Sequence, residues 1–423
     1  MPALDQLVRN IKKHLAKRRP STHDPDNQAF ARRNIYVLTA AQALGAASPP
    51  IIISLGGLVG QQLSSDPALV TLPVSLFNLG LAVGTLPAAF VMRQIGRRNG
   101  YLLGTGFGMA AGLVAAWGIF ATSFAIFCIG TFIAGFYAAY VQSYRFAATD
   151  AATGELKAKA ISWVMIGGLI AAIIGPQLVI WTRDAVPGTP YVGSFLSQAA
   201  LALMAVPILL LLRTPKAAAA GKSREDTGRP LTQILLMPRY MLAVAAGVVS
   251  YGLMVFVMTA APIAMVGHGH SVDHAALGIQ WHVLAMFAPS FVTGHLMARF
   301  GKERVTAFGL LLIAISAVFA LAGLQLVHFY VSLILLGVGW NFGFIGATAM
   351  VTDCHTEAER GKAQGANDFL IFGTVAAASF FAGALLHASG WQTINWMIFP
   401  AVALILVPLL WQSARTVPAT PAE

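Results

Sequence analysis

Apolar runs of roughly 20 residues recur from one end of this 423-residue chain to the other. A run of that length, wound as a helix, matches the ~30 Å hydrocarbon core of a bilayer. Repetition of the run leaves no stretch large enough for a soluble domain. Composition agrees, with 57% hydrophobic and 10% charged residues, where a soluble chain carries about 25% charged. The expected fold class is therefore an all-α membrane protein.

Twelve spans are expected, near residues 35–60, 70–92, 100–120, 123–146, 158–181, 192–212, 240–265, 275–298, 304–323, 328–352, 362–388 and 391–412. Internal Gly and Pro, such as Pro49-Pro50, are tolerated where neighbouring helices re-satisfy the backbone. Lys and Arg supply the orientation. With these spans, 26 of the 27 basic residues fall on one face of the membrane, and Arg183 alone falls on the other. The positive-inside rule then places both termini of a multi-pass membrane protein in the cytoplasm. The net charge of +11 follows this asymmetry, so no nucleic-acid partner is expected and the lipid bilayer is. Residues 1–33 are too charged for a signal peptide. Leu4, Leu7, Val8, Ile11 and Leu15 share one helical face there, as in a basic amphipathic helix, though a solvated tail has the same composition. Cys128 and Cys354 are too far apart in sequence to suggest a disulfide framework.

Residues 34–212 and 240–412 read as two six-helix halves, joined by a basic linker at 213–239 and followed by a tail at 413–423. The halves echo one another at an offset of about 205. "VMRQIGRR" at 91–98 follows the second span and "LMARFGKE" at 296–303 follows the eighth. Thr149-Asp150 follows the fourth span and Thr352-Asp353 the tenth. Two parallel halves with basic loops after their second spans is a layout of alternating-access carriers. Over its full length the chain resembles the major facilitator superfamily. That resemblance implies a gating loop at Gly96, Arg97 and Arg98, with Arg93 where the family has an Asp. No P-loop and no nucleophile constellation occurs, so neither an ATPase nor an enzyme is expected.

The stretch Met254 to Met286 is the candidate site. Met254 and Met258 are spaced i, i+4, and so are His282 and Met286. A short loop centred near His270 separates the pairs. Equal distance from the turn means roughly equal depth in an antiparallel hairpin, which sets Met258 level with His282 and Met254 level with Met286. Both rungs lie near mid-membrane, where such carriers bind substrate. Three thioethers and an imidazole are soft, neutral donors suited to Cu(I). The arrangement resembles the bacterial copper-importer branch of the superfamily, which supplies cytochrome oxidase assembly. The resemblance implies copper as the transported substrate, no permanently bound cofactor, a monomer, and a cytoplasmic copper chaperone downstream. Met265, His268, His270 and His274 are candidates for outer metal capture, and Asp368 for proton coupling, although Asp368 also fits a helix cap or a pair with Lys362. Met237, Met241 and the Cys354-His355 pair are weaker candidates on the exit side. Two other readings fit the same residues: a proton-coupled efflux or uptake carrier for a small organic solute, with Met and His lining an apolar pocket, and a non-transporting metal sensor or assembly scaffold.

Overall fold

The structure, a computed structural model, describes residues 25–149, 155–213, 228–356 and 358–415. The proposed amphipathic segment, most of the linker, Asp150 and the end of the tail lie outside the described residues. Secondary structure among the described residues is helical.

Span 1 consists of two helices, Pro25–Gly45 and Ser48–Leu63. Spans 2 to 6 are Leu72–Ile95, Arg97–Phe120, Phe124–Gln142, Glu155–Thr182 and Val192–Leu210. Span 7 is the 30-residue helix Pro238–Gly267. Span 8 is a bent pair, Val272–Phe287 and Ser290–Phe300, with a 42° angle between its parts. Spans 9 and 10 are Lys302–Ala322 and Leu326–Thr352. The last apolar stretch runs 53 residues, Arg360–Gln412. Fully helical, it would be about 80 Å long, more than twice a bilayer core. Gly390 divides it, with φ 77° and ψ 175°, which an L side chain adopts only under strain. Spans 11 and 12 meet there. Among the described residues the total is twelve, in two six-helix halves, and the buried apolar residues form two clusters, each drawn mainly from one half.

Two breaks depart from the expected continuous helices, and proline causes both. In span 1, Pro49 and Pro50 have no N–H. The carbonyls of Gly45 and Ala46 therefore lose their usual i+4 donors, and the helix restarts after a turn at Ala46-Ala47. In span 8, Pro289 removes a donor in the same way. Asn341 of span 10, fully buried, reaches into the gap. Its amide donates to the Met286 carbonyl at 2.6 Å and to Ser290 Oγ at 2.7 Å, and its oxygen accepts from Thr293 Oγ1 at 2.6 Å. A neighbouring helix thus supplies polar partners at the break that the proline makes.

The repeat seen in sequence has a backbone counterpart. Gly96 has φ 82° and ψ 159°, and Gly301 has φ 89° and ψ 153°. Each glycine turns the chain between two helices at the basic end of its half. In the C-terminal half Lys302 Nζ lies 2.6 Å from Asp353, and Arg239 bridges Glu303 at 2.9 Å and Asp353 at 3.3 Å. Nearby, Arg229 clasps the buried Glu359 through two side-chain contacts of 2.8 Å. The backbone N–H groups of Arg229 and Thr356 donate to the same carboxylate. These donors hold the Glu359 carboxyl well below the usual carboxylate range, the Arg229 guanidinium being the largest cause.

Candidate functional site

The halves are joined toward the end that carries few arginines. Thr71 Oγ1 of span 2 donates to the Phe380 carbonyl of span 11 at 3.2 Å and accepts from Gly383 N–H at 3.2 Å. Gln177 of span 5 donates to Gln280 of span 8 at 2.9 Å. Arg183 meets Asp273 across the halves at 2.9 Å. This explains the single basic residue on the wrong side of the charge rule: it is an inter-half partner. In span 1, Gly57 is pressed so closely on Ile263 of span 7 that a Cβ would lie 2.5 Å from Ile263 Cδ1. The ion pairs at the basic end described above join the linker and the C-terminal half and do not reach the N-terminal half. This is the closed-at-one-end arrangement that a two-half carrier adopts.

Below this seal lies a central cavity of about 180 Å³ between the halves. Met254, Met258 and Met286 line it, joined by Met165. The N-terminal half contributes Phe77 and the amides Gln42, Asn78 and Gln142. Gly45, Ala46, Pro49 and Pro50 line it too, so the proline break of span 1 lies at the cavity. Tyr251 and Phe287 line the opposite wall. The Tyr251 ring packs edge-on against Trp340 at 5.3 Å and Phe344 at 4.9 Å, which holds it in place. The Oε1 atom of Gln42 is buried without a hydrogen-bond partner. Asn78 reaches Ser379 Oγ at 3.2 Å. Among the described residues, no charged side chain lines the cavity. Nearer the basic end, Arg145 and Asp368, from opposite halves, are both exposed. The Arg145 guanidinium sits 4.8 Å from the Phe146 ring centroid, and the Asp368 carboxylate accepts from the Asn367 amide at 3.1 Å.

The soft tetrad of the sequence reading divides here. Its three thioethers reach one cavity. His282 is absent from the lining; it is fully buried, with Nδ1 2.7 Å from the Leu333 carbonyl of span 10. Spans 8 and 10 approach so closely that a Cβ on Gly337 would lie 2.5 Å from the His282 carbonyl oxygen. Met265 is also fully buried, with its sulfur packed over Gly278 of span 8. The loop histidines turn to separate backbone partners. His268 Nδ1 is 2.7 Å from the Ala264 carbonyl, and His270 Nε2 is 2.8 Å from the Leu324 carbonyl. The rings of His270 and His274 are 6.4 Å apart between centroids. Among the described residues, no group of three His, Cys, Asp or Glu side chains is placed to hold a metal ion. At the expected gating loop, Gly96 makes the turn, Arg97 Nη1 donates to the Tyr101 hydroxyl at 3.4 Å and Arg98 Nε is buried without a partner.

The sequence reading missed the amides Gln42, Asn78 and Gln142. Their signal was present, because a polar side chain inside an apolar span is costly and faces protein or a cavity.

Comparison with known proteins corrects the substrate. The chain is 74% identical over 380 residues to the riboflavin transporter RfnT of Brucella anthropi, covering 90% of this chain and 96% of the relative. Copper import, and the copper chaperone with it, are overturned by that likeness. The chemical reason the sequence misled is that a thioether is both a soft ligand and a pliant apolar contact, and i, i+4 spacing is the same for either. The chain is also 31% identical over 411 residues to an uncharacterized transporter, YdeG of Bacillus subtilis, covering 92% and 94% of the two chains. A solved structure of a mutant nucleoside transporter NupG superposes with a TM-score of 0.72 at 16% identity, over 89% of this chain and 99% of that one. The sequence pattern of the Major Facilitator Superfamily matches residues 35–289 and 242–423. With twelve spans in two halves around a central cavity, this chain belongs to the major facilitator superfamily.

Proposed function

We propose that this protein carries riboflavin, or a flavin of the same uncharged kind, across the cytoplasmic membrane of a bacterium by alternating access. The observation that carries the reading is the 74% identity to a riboflavin transporter, spread over 96% of that protein. The cavity chemistry supports it. A flavin offers a flat three-ring face, ring carbonyls and an imide N–H, and a hydroxylated chain. Tyr251, Phe77 and Phe287 offer ring faces and edges, which favour offset or edge-on packing. Gln42, Asn78 and Gln142 each offer an amide donor and acceptor. An uncharged lining suits an uncharged solute, since a charge there would lose its hydration without a partner.

The cavity of about 180 Å³ is smaller than the ~300–1,000 Å³ of sites that hold drug-sized ligands. Four methionines make widening easy, because each has three rotatable bonds and few steric demands. In this role Met254, Met258 and Met286 grip a ring system, and His282 holds span 8 against span 10. Both termini face the cytoplasm in this reading, so the Arg183–Asp273 end faces outward and the structure is inward-facing. A neutral solute gains nothing from the membrane potential, which acts only on charge at about 2.3 kcal/mol per unit charge per 100 mV. Accumulation therefore needs a co-transported ion, and Asp368, an exposed carboxylate toward the basic end of span 11, is the candidate proton site.

The test is counterflow of labelled riboflavin in proteoliposomes, which reads translocation whatever the coupling. Exchange is expected with riboflavin inside and none in protein-free vesicles. Absence of exchange by folded protein would refute the reading.

A further inference from the structure

A second cavity, of about 500 Å³, lies on the arginine-poor side of the seal. It sits between the halves, bounded by the ends of spans 1 and 2 and by spans 7, 11 and 12. Its apolar surface is Val70, Ile263, Leu386 and Trp391. Trp391 is 3% exposed and fixed by ring contact with Phe329 at 5.3 Å, so this wall is rigid. Ile263 belongs to both structures: its side chain closes on Gly57 below and borders the cavity above. Solute resting here stands one contact away from the central site.

Four polar side chains border the same space, of which the Ser64 hydroxyl is already bonded to the Asp66 carbonyl at 2.9 Å and accepts from the Asp66 N–H at 3.2 Å. Gln61 and His387 are exposed and have no hydrogen-bond partner among the described residues. His268 spends Nδ1 on the Ala264 carbonyl, which leaves Nε2. Gly267 and Gly390 also border it, and a Cβ on either would meet nothing within 4 Å. The volume falls in the range of ligand sites, and the surface joins an apolar wall to a few hydrogen-bonding groups, as such sites do. Among the described residues, no Lys, Arg, Asp or Glu lines it. That combination fits a flat, uncharged heteroaromatic ring bearing hydroxyl groups.

Resting on the flavin reading above, we infer that this outer cavity is a second binding site, where the solute docks before the seal opens and the central cavity takes it. Gln61 and His387 hydrogen-bond the solute there, over the apolar wall that Trp391 completes. The site is expected to be weaker than the central one, since it is more open to water.

Equilibrium binding of riboflavin to the purified full chain, with uptake kinetics in cells, tests this. Wild type is expected to bind two flavins per chain, and a Gln61→Ala, His387→Ala double variant one. The variant's KM for uptake is expected to rise about tenfold at unchanged maximal rate, from the loss of two neutral hydrogen bonds. Both side chains are exposed, so the variant keeps the fold. One flavin per chain in wild type, or an unchanged KM in the variant, overturns the second site while leaving the central one standing. Failure of wild type to bind riboflavin at all overturns the flavin reading and this inference with it.

Discussion

The inter-half pair Arg183–Asp273 gives the clearest quantitative handle on alternating access. It closes at 2.9 Å, with side-chain exposures of 22% and 38%. A pair this wet is worth roughly 0.5–1 kcal/mol, because water and salt screen it. It exists only when the arginine-poor end is closed, so its loss should raise the outward-open population by about 2–5-fold. The assay is labelling of a Val255→Cys variant by a membrane-impermeant thiol reagent added outside cells. Val255 lines the central cavity, below the seal. The two native cysteines are buried, so background labelling is low. Arg183→Gln should raise the labelling rate by that factor, and high salt should narrow the difference. Asp273→Asn added to Arg183→Gln should change little more, because both remove the same interaction. An unchanged or slower rate in Arg183→Gln, or fully additive effects in the double variant, would refute the clasp.

Asn341→Leu should lower stability by about 2–4 kcal/mol, because buried groups around the span 8 break lose their partner; an unchanged thermal midpoint in detergent would show that the break satisfies itself. Glu359→Gln should lower the midpoint at pH 7. Because the folded-state carboxyl titrates below its unfolded value, its stabilisation is complete above the ordinary carboxylate range and fades only as pH falls through the depressed value; the gap between wild type and variant should thus persist to about pH 4.5 and shrink below it. A Met254→Leu, Met258→Leu variant should keep riboflavin counterflow within about tenfold, since Met-to-Leu exchange conserves volume and costs under about 1.5 kcal/mol; complete loss would show that sulfur itself is required. Asp368→Asn should abolish concentrative uptake while sparing counterflow, and concentrative uptake by this variant would remove Asp368 from coupling.

Hydropathy and charge are local quantities, and what they govern was legible in the chain. The number of spans follows from run length against bilayer thickness. The 205-residue echo announced a backbone repeat that Gly96 and Gly301 carry out. Depth matching across the span 7–8 hairpin grouped Met254, Met258, His282 and Met286, of which the three thioethers line one cavity and His282 does not. Pro49-Pro50 and Pro289 were visible as helix breakers, but not which groups would answer them. Asn341 lies 52 residues beyond Pro289, and only tertiary packing puts it at that break. Rotation of a side chain about its helix is likewise decided by neighbours: span 10 turns His282 away from the thioethers by offering the Leu333 carbonyl. Arg183 looked like an exception to the charge rule until Asp273 came within 2.9 Å of it from the other half. The choice between a soft metal and a flat organic ring was beyond the spacing, because thioethers serve both. The likeness to a riboflavin transporter overturned the metal, whereas the gathering of amides and aromatic rings from spans 1, 2, 4 and 7 at one cavity exists only once the two halves pack.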